Sequence, residues 1–244
     1  MSYGRTPKKP LYVLHAEVFE SADGAGVVTN LKAMPSDPSR VKVYVDQVKV
    51  CRVSAEDCVS LGLGKGAEWT AELASGVLAA SAAHEAERSG INMLANRGRS
   101  EKLIERGLRQ RGHTTEGIHA GIERLRDKGY VNDEAYAAQV VRSELRQKPA
   151  GRRLLEMKLR HAGITDDITR DAVAEGFEGR SEREDALELA RKQARSLIRH
   201  EPEVALRRLV GRLARRGFGG GVCYEVARTA LDEARQEADQ ESES

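Results

Sequence analysis

The sequence predicts a mainly α-helical protein in which three tandem three-helix repeats follow a small β-rich N-terminal domain. One observation is a spacing that occurs three times, at intervals of about 50 residues, and periods of this size are typical of repeat arrays. The other is composition: charged residues make up 32% of the 244 residues and aromatic residues only 4%. The core must therefore consist of Leu, Ile, Val and Ala, which favours small helical units.

The repeated spacing consists of an aliphatic residue, a Leu four positions later and a Gly four positions after that. An aliphatic pair four residues apart forms one stripe of a helix, and the Gly that follows is the residue best suited to the left-handed turn that ends a helix. The sequence thus predicts a short basic helix with a defined end, used three times. The three copies are Ile104, Leu108 and Gly112; Leu155, Leu159 and Gly163; and Leu209, Leu213 and Gly217.

The N-terminal part shows strand signals. Residues 41–45 and 48–53 alternate with period two about Asp46-Gln47, which predicts a hairpin. Residues 11–19 and 27–31 are weaker strand predictions, and the turn-rich residues 21–26 and the proline-containing residues 34–39 are expected to be loops. We expect residues 11–53 to pack as a separate β-module. Ser54 should begin a short helix with Asp57 completing a capping box, before the glycines of residues 62–66 break the chain.

Everything after about Trp69 is expected to be helical. Asp133 is the predicted N-cap of the first helix of the second repeat, and Pro149 is predicted to end that helix. The remaining predicted helices are a first helix ending near residue 96, then 100–111 with Ser100 as its N-cap candidate, 115–128, 151–162, a helix capped near Thr165, 181–198, 203–216 and 222–233. We expect domains at residues 1–70, 71–129, 130–179 and 180–235, followed by an acidic tail at 236–244 whose end is frayed.

Charge is unevenly distributed along the chain. The net formal charge is +2 overall. Residues 81–160 carry 17 Lys and Arg against 11 Asp and Glu, whereas residues 219–244 carry two against seven. A basic central segment favours nucleic acid or an acidic protein surface as partner. The competing interpretation is an ordinary solvated helix surface.

Signals for an enzyme or a metal site are weak. The glycine-rich residues 62–66 lack the phosphate-binding pattern of a P-loop, and His113 and His119 are spaced so that they do not share a helix face. Cys51, Cys58 and Cys223 include no closely spaced pair, which fits a reducing compartment. We therefore predict no catalytic residues, no cofactor and no metal, and we expect a cytoplasmic protein without a signal peptide, a membrane partner or a membrane-spanning segment.

One motif carries a family resemblance. The run Gly-Tyr-Val-Asn-Asp-Glu-Ala-Tyr-Ala at residues 129–137 joins the first two repeats, and Leu-Arg-His-Ala-Gly-Ile at 159–164 ends a basic helix. Arg-Gly-Arg-Ser at 97–100 opens the middle helix of the first repeat. In this order and spacing the motifs resemble the RecX family of recombination regulators over residues 80–235. The first 70 residues resemble the β-rich extension of longer members. The third repeat departs from the pattern, because Arg208 stands where the other copies have Leu.

The resemblance implies an elongated, curved array of three-helix units. It also implies that the partner is the RecA–DNA filament, including single-stranded DNA within it, and that the protein inhibits the ATPase, strand-exchange and co-protease activities of RecA. We expect the protein to be a monomer. None of these expectations follows from the spacing of residues alone.

Basic residues on and near the middle helices are the candidate binding residues, because similar sets recur in all three repeats. Any one of them could be part of a solvated surface. The predicted partner-binding residues are Arg97, Arg99, Lys102, Arg106, Arg109, Arg142, Arg146, Arg152, Arg153, Lys158, Arg160 and Arg212.

Two other functions remain open. Three-helix units with a basic second or third helix are typical of helix-turn-helix proteins, so the chain could contact the phosphates of duplex DNA directly, without RecA. The basic helices contain few Asn and Gln residues, which read adenine, and this favours phosphate or protein contacts over sequence readout. An inert scaffold would leave the recurring basic faces unexplained.

Overall fold

The computed structural model describes residues 26–243, and the predicted strand at 11–19 and most of the predicted loop at 21–26 lie outside them. Within this range the protein is mostly helical, with a four-stranded antiparallel sheet near its beginning. The chain divides into two compact units, Met1–Asn132 and Asp133–Ser244.

The strands of the first unit are β1 (Gly26–Met34), β2 (Asp37–Val45), β3 (Val48–Ser54) and β4 (Glu68–Trp69), in the spatial order β3-β2-β1-β4. The hairpin predicted about Asp46-Gln47 is confirmed. Both residues have positive φ, 46° and 70°, as a two-residue type I′ turn requires. Asp46 Oδ1 also accepts a hydrogen bond from the Val27 amide at 3.1 Å, which ties the turn to β1.

Part of the N-terminal prediction was wrong. The loop expected at residues 34–39 is only a two-residue turn, because β1 continues to Met34 and β2 already begins at Asp37. Pro38 thus lies within a strand, near its start, where proline is tolerated. Helix α1 (Ala55–Ser60) has the predicted capping box, in which the Ser54 hydroxyl accepts from the Asp57 amide and Asp57 accepts from the Ser54 amide.

The sheet does not form a separate module. Helix α2 (Ala71–Leu94) contributes Ala74 and Val77 to the core beneath the strands, together with Val43, Val53 and Trp69. The same long helix packs further along against the other helices of the first repeat. One helix therefore belongs to both cores, which the alternation of residues within the strands could not indicate.

The first repeat is completed by α3 (Glu101–Gln110) and α4 (Thr115–Asp127). Ser100 caps α3 as predicted, and its hydroxyl accepts from the Leu103 amide at 3.3 Å. A partly buried ion pair joins α4 to α1: Arg124 donates two hydrogen bonds to the Asp57 carboxylate, at 2.6 and 3.1 Å. Burial alone would raise the pKa of Asp57, but the bonds from Arg124 and Ser54 hold that pKa below its ordinary value.

The second unit contains the other two repeats. Its helices are α5 (Asp133–Gln147), α6 (Arg152–His161), α7 (Asp166–Gly176), α8 (Glu182–Ala194), α9 (Pro202–Arg215) and α10 (Gly220–Glu243). The predicted stop before Pro149 and the predicted cap near Thr165 are confirmed, whereas the helix predicted at 181–198 ends already at Ala194 and has Ser181 as its N-cap. Asp133 as N-cap was wrong, because the helix begins at Asp133 itself, which places this carboxylate in the first turn.

The C-terminal helix is longer than the sequence indicated. Helix α10 runs through Glu243, so residues 236–243, which were expected to form an acidic tail after a helix ending at residue 233, are helical. Three ion pairs hold α10: Arg183 with Glu225, Arg191 with Glu233 and Arg195 with Glu237, at 2.7, 2.8 and 2.9 Å. Arg183 and Arg191 lie on α8 and Arg195 is its C-cap. Of the three acidic partners, Glu237 lies in the part of α10 beyond the predicted end at residue 233.

Candidate partner-binding surface

The middle helices α3, α6 and α9 share one local structure. The aliphatic pair of each copy is completely buried, and the Gly that follows has φ of 81°, 79° and 85° at Gly112, Gly163 and Gly217. In each copy the amide after the Gly donates to the carbonyl of the buried Leu, as in a Schellman motif. The repeated spacing therefore determines which face of each helix is buried, and it leaves the basic residues on the remaining faces.

In the first repeat, several of the predicted binding residues form bonds to other groups of the same chain. Lys102 and Arg109 both donate to Glu105, at 2.8 and 2.5 Å, and these bonds lower the pKa of the Glu105 carboxyl. Arg99 donates to the Met93 carbonyl at 3.2 Å and thereby gives a carbonyl in the last turn of α2 a hydrogen-bond donor. Arg97 and Arg106 are exposed and form no ion pair among residues 26–243.

In the second repeat, two of the predicted residues support the fold. Arg152 stacks over the Phe177 ring, 4.4 Å from its centroid, and lies 3.7 Å from Glu182. Lys158 donates to Glu144, which also accepts from Arg216 at 3.3 Å. Burial would raise the pKa of Glu144, but these two cations lower it on balance. Arg152 and Lys158 therefore hold neighbouring helices together.

The other four predicted residues of the second repeat are exposed. Arg153 and Arg160 lie on α6, and Arg142 and Arg146 lie one turn apart on α5. None of these side chains has an ion pair within the described range of the chain. Because exposed guanidinium groups without a carboxylate partner remain available, this repeat retains more of the predicted binding residues in an available state than either of the other two repeats.

The exposed face of α6 also carries an apolar side chain. Met157 is 50% exposed and lies between Arg153 and Arg160 in an i, i+4, i+7 series, so the three side chains share one face. A flexible thioether adapts to irregular partner surfaces, and an apolar centre with a charged rim is typical of protein interfaces. The sequence interpretation missed Met157, although its place in this series could have indicated it.

In the third repeat the basic residues are mostly structural. Arg212 is only partly exposed and donates to Gln193 at 3.3 Å, and Arg208 bonds to His200 at 2.7 Å. Arg216 donates to the carbonyls of Lys148 and Pro149, each at 3.0 Å. Arg212, the one predicted binding residue of this repeat, thus contributes to packing. The exposed arginines of α9 that lack a side-chain partner in residues 26–243 are Arg207 and Arg215.

The described residues hold no group of three or more His, Cys, Asp and Glu side chains placed to bind a metal ion. The three cysteines are buried, and burial raises the pKa of the Cys51 thiol to about 12, so this thiol is a poor nucleophile. In residues 26–243 no helix is long and apolar enough to cross a bilayer.

Comparison with known proteins places these features in a family. Residues 132–173 match the model of the second three-helix domain of RecX, and residues 181–227 match the third. Regulatory protein RecX of Amycolatopsis mediterranei is 34% identical over 143 residues, which are 59% of this chain and 81% of the relative. Regulatory protein RecX of Listeria welshimeri is 25% identical over 217 residues, covering 89% of this chain and 79% of that protein.

Solved structures show the same fold. A crystal structure of regulatory protein RecX superposes with a TM-score of 0.68 at 22% identity and covers 84% of this chain and 99% of its own. RecX from Lactobacillus salivarius superposes with a TM-score of 0.54 at 23% identity and covers 62% and 97%, respectively.

Proposed function

Because this chain belongs to the RecX family of regulatory proteins, we propose that it binds the RecA–DNA filament and inhibits the ATPase, strand-exchange and co-protease activities of RecA. Its relatives are named as regulatory proteins. RecA is the specific partner in this regulatory role, and the protein acts in the cytoplasm as a monomer.

The observation that carries the proposal is the exposed face of α6. Arg153 and Arg160 flank the half-exposed Met157, and neither guanidinium has an ion pair among the described side chains. An anionic groove that offers an apolar contact at its centre would pair with both cations and bury the thioether. Arg142 and Arg146 on α5 supply further positive charge within the same compact unit.

Regulation of this kind requires binding alone. A protein that occupies a filament groove blocks access and subunit movement without turnover, so it requires neither a nucleophile nor a cofactor of its own.

The test is the DNA-dependent ATPase of RecA, measured with increasing amounts of the full chain. We expect inhibition at substoichiometric amounts, weakening with salt because exposed charges are screened beyond about 8 Å at 0.15 M. The double variant Arg153→Glu, Arg160→Glu should lose most of the inhibition. The matched control Lys65→Glu, Arg228→Glu reverses two exposed charges elsewhere and should inhibit like the unmodified protein. Equal loss in both variants would show that net charge, not this face, causes the inhibition.

Direct binding of duplex DNA without RecA remains the second candidate, supported by the match to three-helix domains. Helices α6 and α9 contain no Asn or Gln, so they lack the side chains that pair with adenine in the major groove. Titration of a labelled duplex with the protein alone separates the two functions. Duplex binding as tight as filament binding, lost in the same Arg153, Arg160 variant, would favour the second candidate.

A further inference from the structure

A row of like charges crosses the N-terminal sheet. Lys32 in β1 lies directly opposite Lys42 in β2, and Lys42 lies directly opposite Arg52 in β3. A second row crosses the sheet beside the first, and in it Tyr44 lies between Asn30 and Lys49. Adjacent strands are about 4.8 Å apart, so the side chains within each row are neighbours.

Both rows lie on the face of the sheet that points away from its core. Val41, Val43 and Val53 alternate with the row residues along the strands and are buried under the helices. Because successive side chains point to opposite faces, the two rows occupy the other face. Lys32 and Asn30 are exposed there, and the remaining row residues are partly exposed.

One carboxylate, Glu85, reaches the edge of this basic sheet face, which we define as Lys32, Lys42, Lys49, Arg52 and Tyr44. Among residues 26–243 the three lysines form no ion pair. Arg52 forms one long contact, 3.8 Å from Glu85, and Glu85 pairs more closely with the buried Arg40, at 3.1 Å. Burial lowers the pKa of Lys49, as do Arg52 and Lys42, and these effects outweigh the opposite effect of Glu85. The positive charges therefore repel each other without full compensation.

Like charges directly opposite each other on neighbouring strands destabilise a sheet. The core lies on the other face, so packing does not require these lysines. We propose that the basic sheet face binds single-stranded nucleic acid, with phosphates contacting Lys32, Lys42 and Lys49 and a base stacking on Tyr44.

The aromatic residue distinguishes this partner from an acidic protein segment. Sheet faces that bind single strands combine cations for the backbone with aromatic rings on which bases stack. Tyr44 occupies the central strand of its row, beside Asn30, whose amide is able to bond a base edge. An acidic helix or loop would use the lysines but would gain little from the ring.

The experiment measures binding of the full chain to a fluorescent oligothymidylate of about 16 nucleotides, as a function of salt. Lys42→Gln should weaken binding several-fold and reduce the slope of log affinity against log salt by about 0.7, the share of one phosphate contact. Lys65→Gln removes the same charge from the exposed turn at residues 62–66 and should change neither quantity.

Tyr44 gives a second readout. Tyr44→Ala should weaken binding about 5- to 150-fold, as expected for loss of one stacked base, whereas Tyr44→Phe keeps the ring and should bind normally. Thermal unfolding shows whether a variant binds weakly because it is misfolded. Lys42→Gln removes a repulsion and should leave the stability unchanged or raised.

Three outcomes would overturn the proposal: equal effects of Lys42→Gln and Lys65→Gln, no effect of Tyr44→Ala, or polyglutamate competing as well as the oligonucleotide. The last would identify an acidic protein partner instead. The inference does not depend on inhibition of RecA, since no RecA is present in this assay.

Discussion

Gly151 and Gly217 lie backbone to backbone in the second compact unit. The Gly151 amide donates to the Arg216 carbonyl at 2.9 Å, and a Cβ at position 151 would lie 2.3 Å from the Gly217 carbonyl oxygen. The start of α6 therefore packs directly on the end of α9. The glycine that ends the third middle helix also allows the second and third repeats to approach each other.

Adding one methyl group at this contact should be costly. We expect Gly151→Ala to destabilise the protein by about 1–3 kcal/mol, because the obstructing atoms are backbone that cannot move aside easily. Gly221→Ala adds the same methyl group in the first turn of α10, where no atom lies within 4 Å, and should stabilise by up to about 1 kcal/mol. Urea unfolding measures both. Similar values for the two variants would contradict the close contact.

The three repeated Leu residues should respond alike. Leu108, Leu159 and Leu213 are completely buried, so each change to Ala should cost about 2–5 kcal/mol through lost burial and the cavity that remains. Met157→Ala, on an exposed face of α6, should cost less than about 1 kcal/mol. Chemical denaturation of the four variants tests this, and a Leu variant as mild as the Met157 control would show that its repeat is not packed as described.

Asp57 should make stability sensitive to acid. Its pKa is lowered in the folded state, so the stabilisation is full above the ordinary value near 3.8 and is lost as pH falls through the folded pKa. Asp57→Asn should be less stable than the unmodified protein by about 1–3 kcal/mol at neutral pH. The difference should shrink as pH falls below about 4.

Arg124→Gln removes the other partner of this pair and should follow the same course. Unfolding free energies of the variants and of the unmodified protein, measured at several pH values, test whether the Asp57–Arg124 pair causes the difference in stability. A difference from the unmodified protein that stays constant down to the lowest pH would exclude the pair as its cause.

Arg152 and Arg153 should separate stability from binding. Arg152→Gln loses the stacking on Phe177 and the contact with Glu182, and it should destabilise by about 1 kcal/mol. Arg153→Gln should change stability by less than about 0.5 kcal/mol but weaken the inhibition of RecA. Thermal unfolding and RecA ATPase assays on both variants test this, and the reverse pattern would assign the binding role to Arg152.

Predictions that depend on near neighbours in the chain agree well with the structure. The hairpin at Asp46-Gln47, the caps at Ser54 and Ser100 and the positive φ of Gly112, Gly163 and Gly217 all depend on residues within one or two turns of each other. Their geometry is set by local backbone sterics and hydrogen bonds. The same holds for the buried aliphatic pairs, because a spacing of four residues determines a helix face.

The availability of each cation could not be predicted in this way. Arg152 and Arg153 are adjacent in the sequence, yet one stacks on Phe177 and the other is exposed. Arg216 bonds to carbonyls almost 70 positions earlier in the chain. The candidate set therefore contained both structural and available residues, because every basic residue looks alike until its distant partners are known.

The sequence by itself determined the middle helix of each repeat, the glycine that ends it and its buried face, since these follow from local spacing. Tertiary structure decided that α2 joins the sheet to the first repeat, that the acidic end of α10 pairs with α8, and that Lys32, Lys42 and Arg52 form one row. The physical reason is that ion pairs, strand register and shared cores join residues far apart in the chain. Which distant residues become partners depends on how the helices and strands pack in the folded unit.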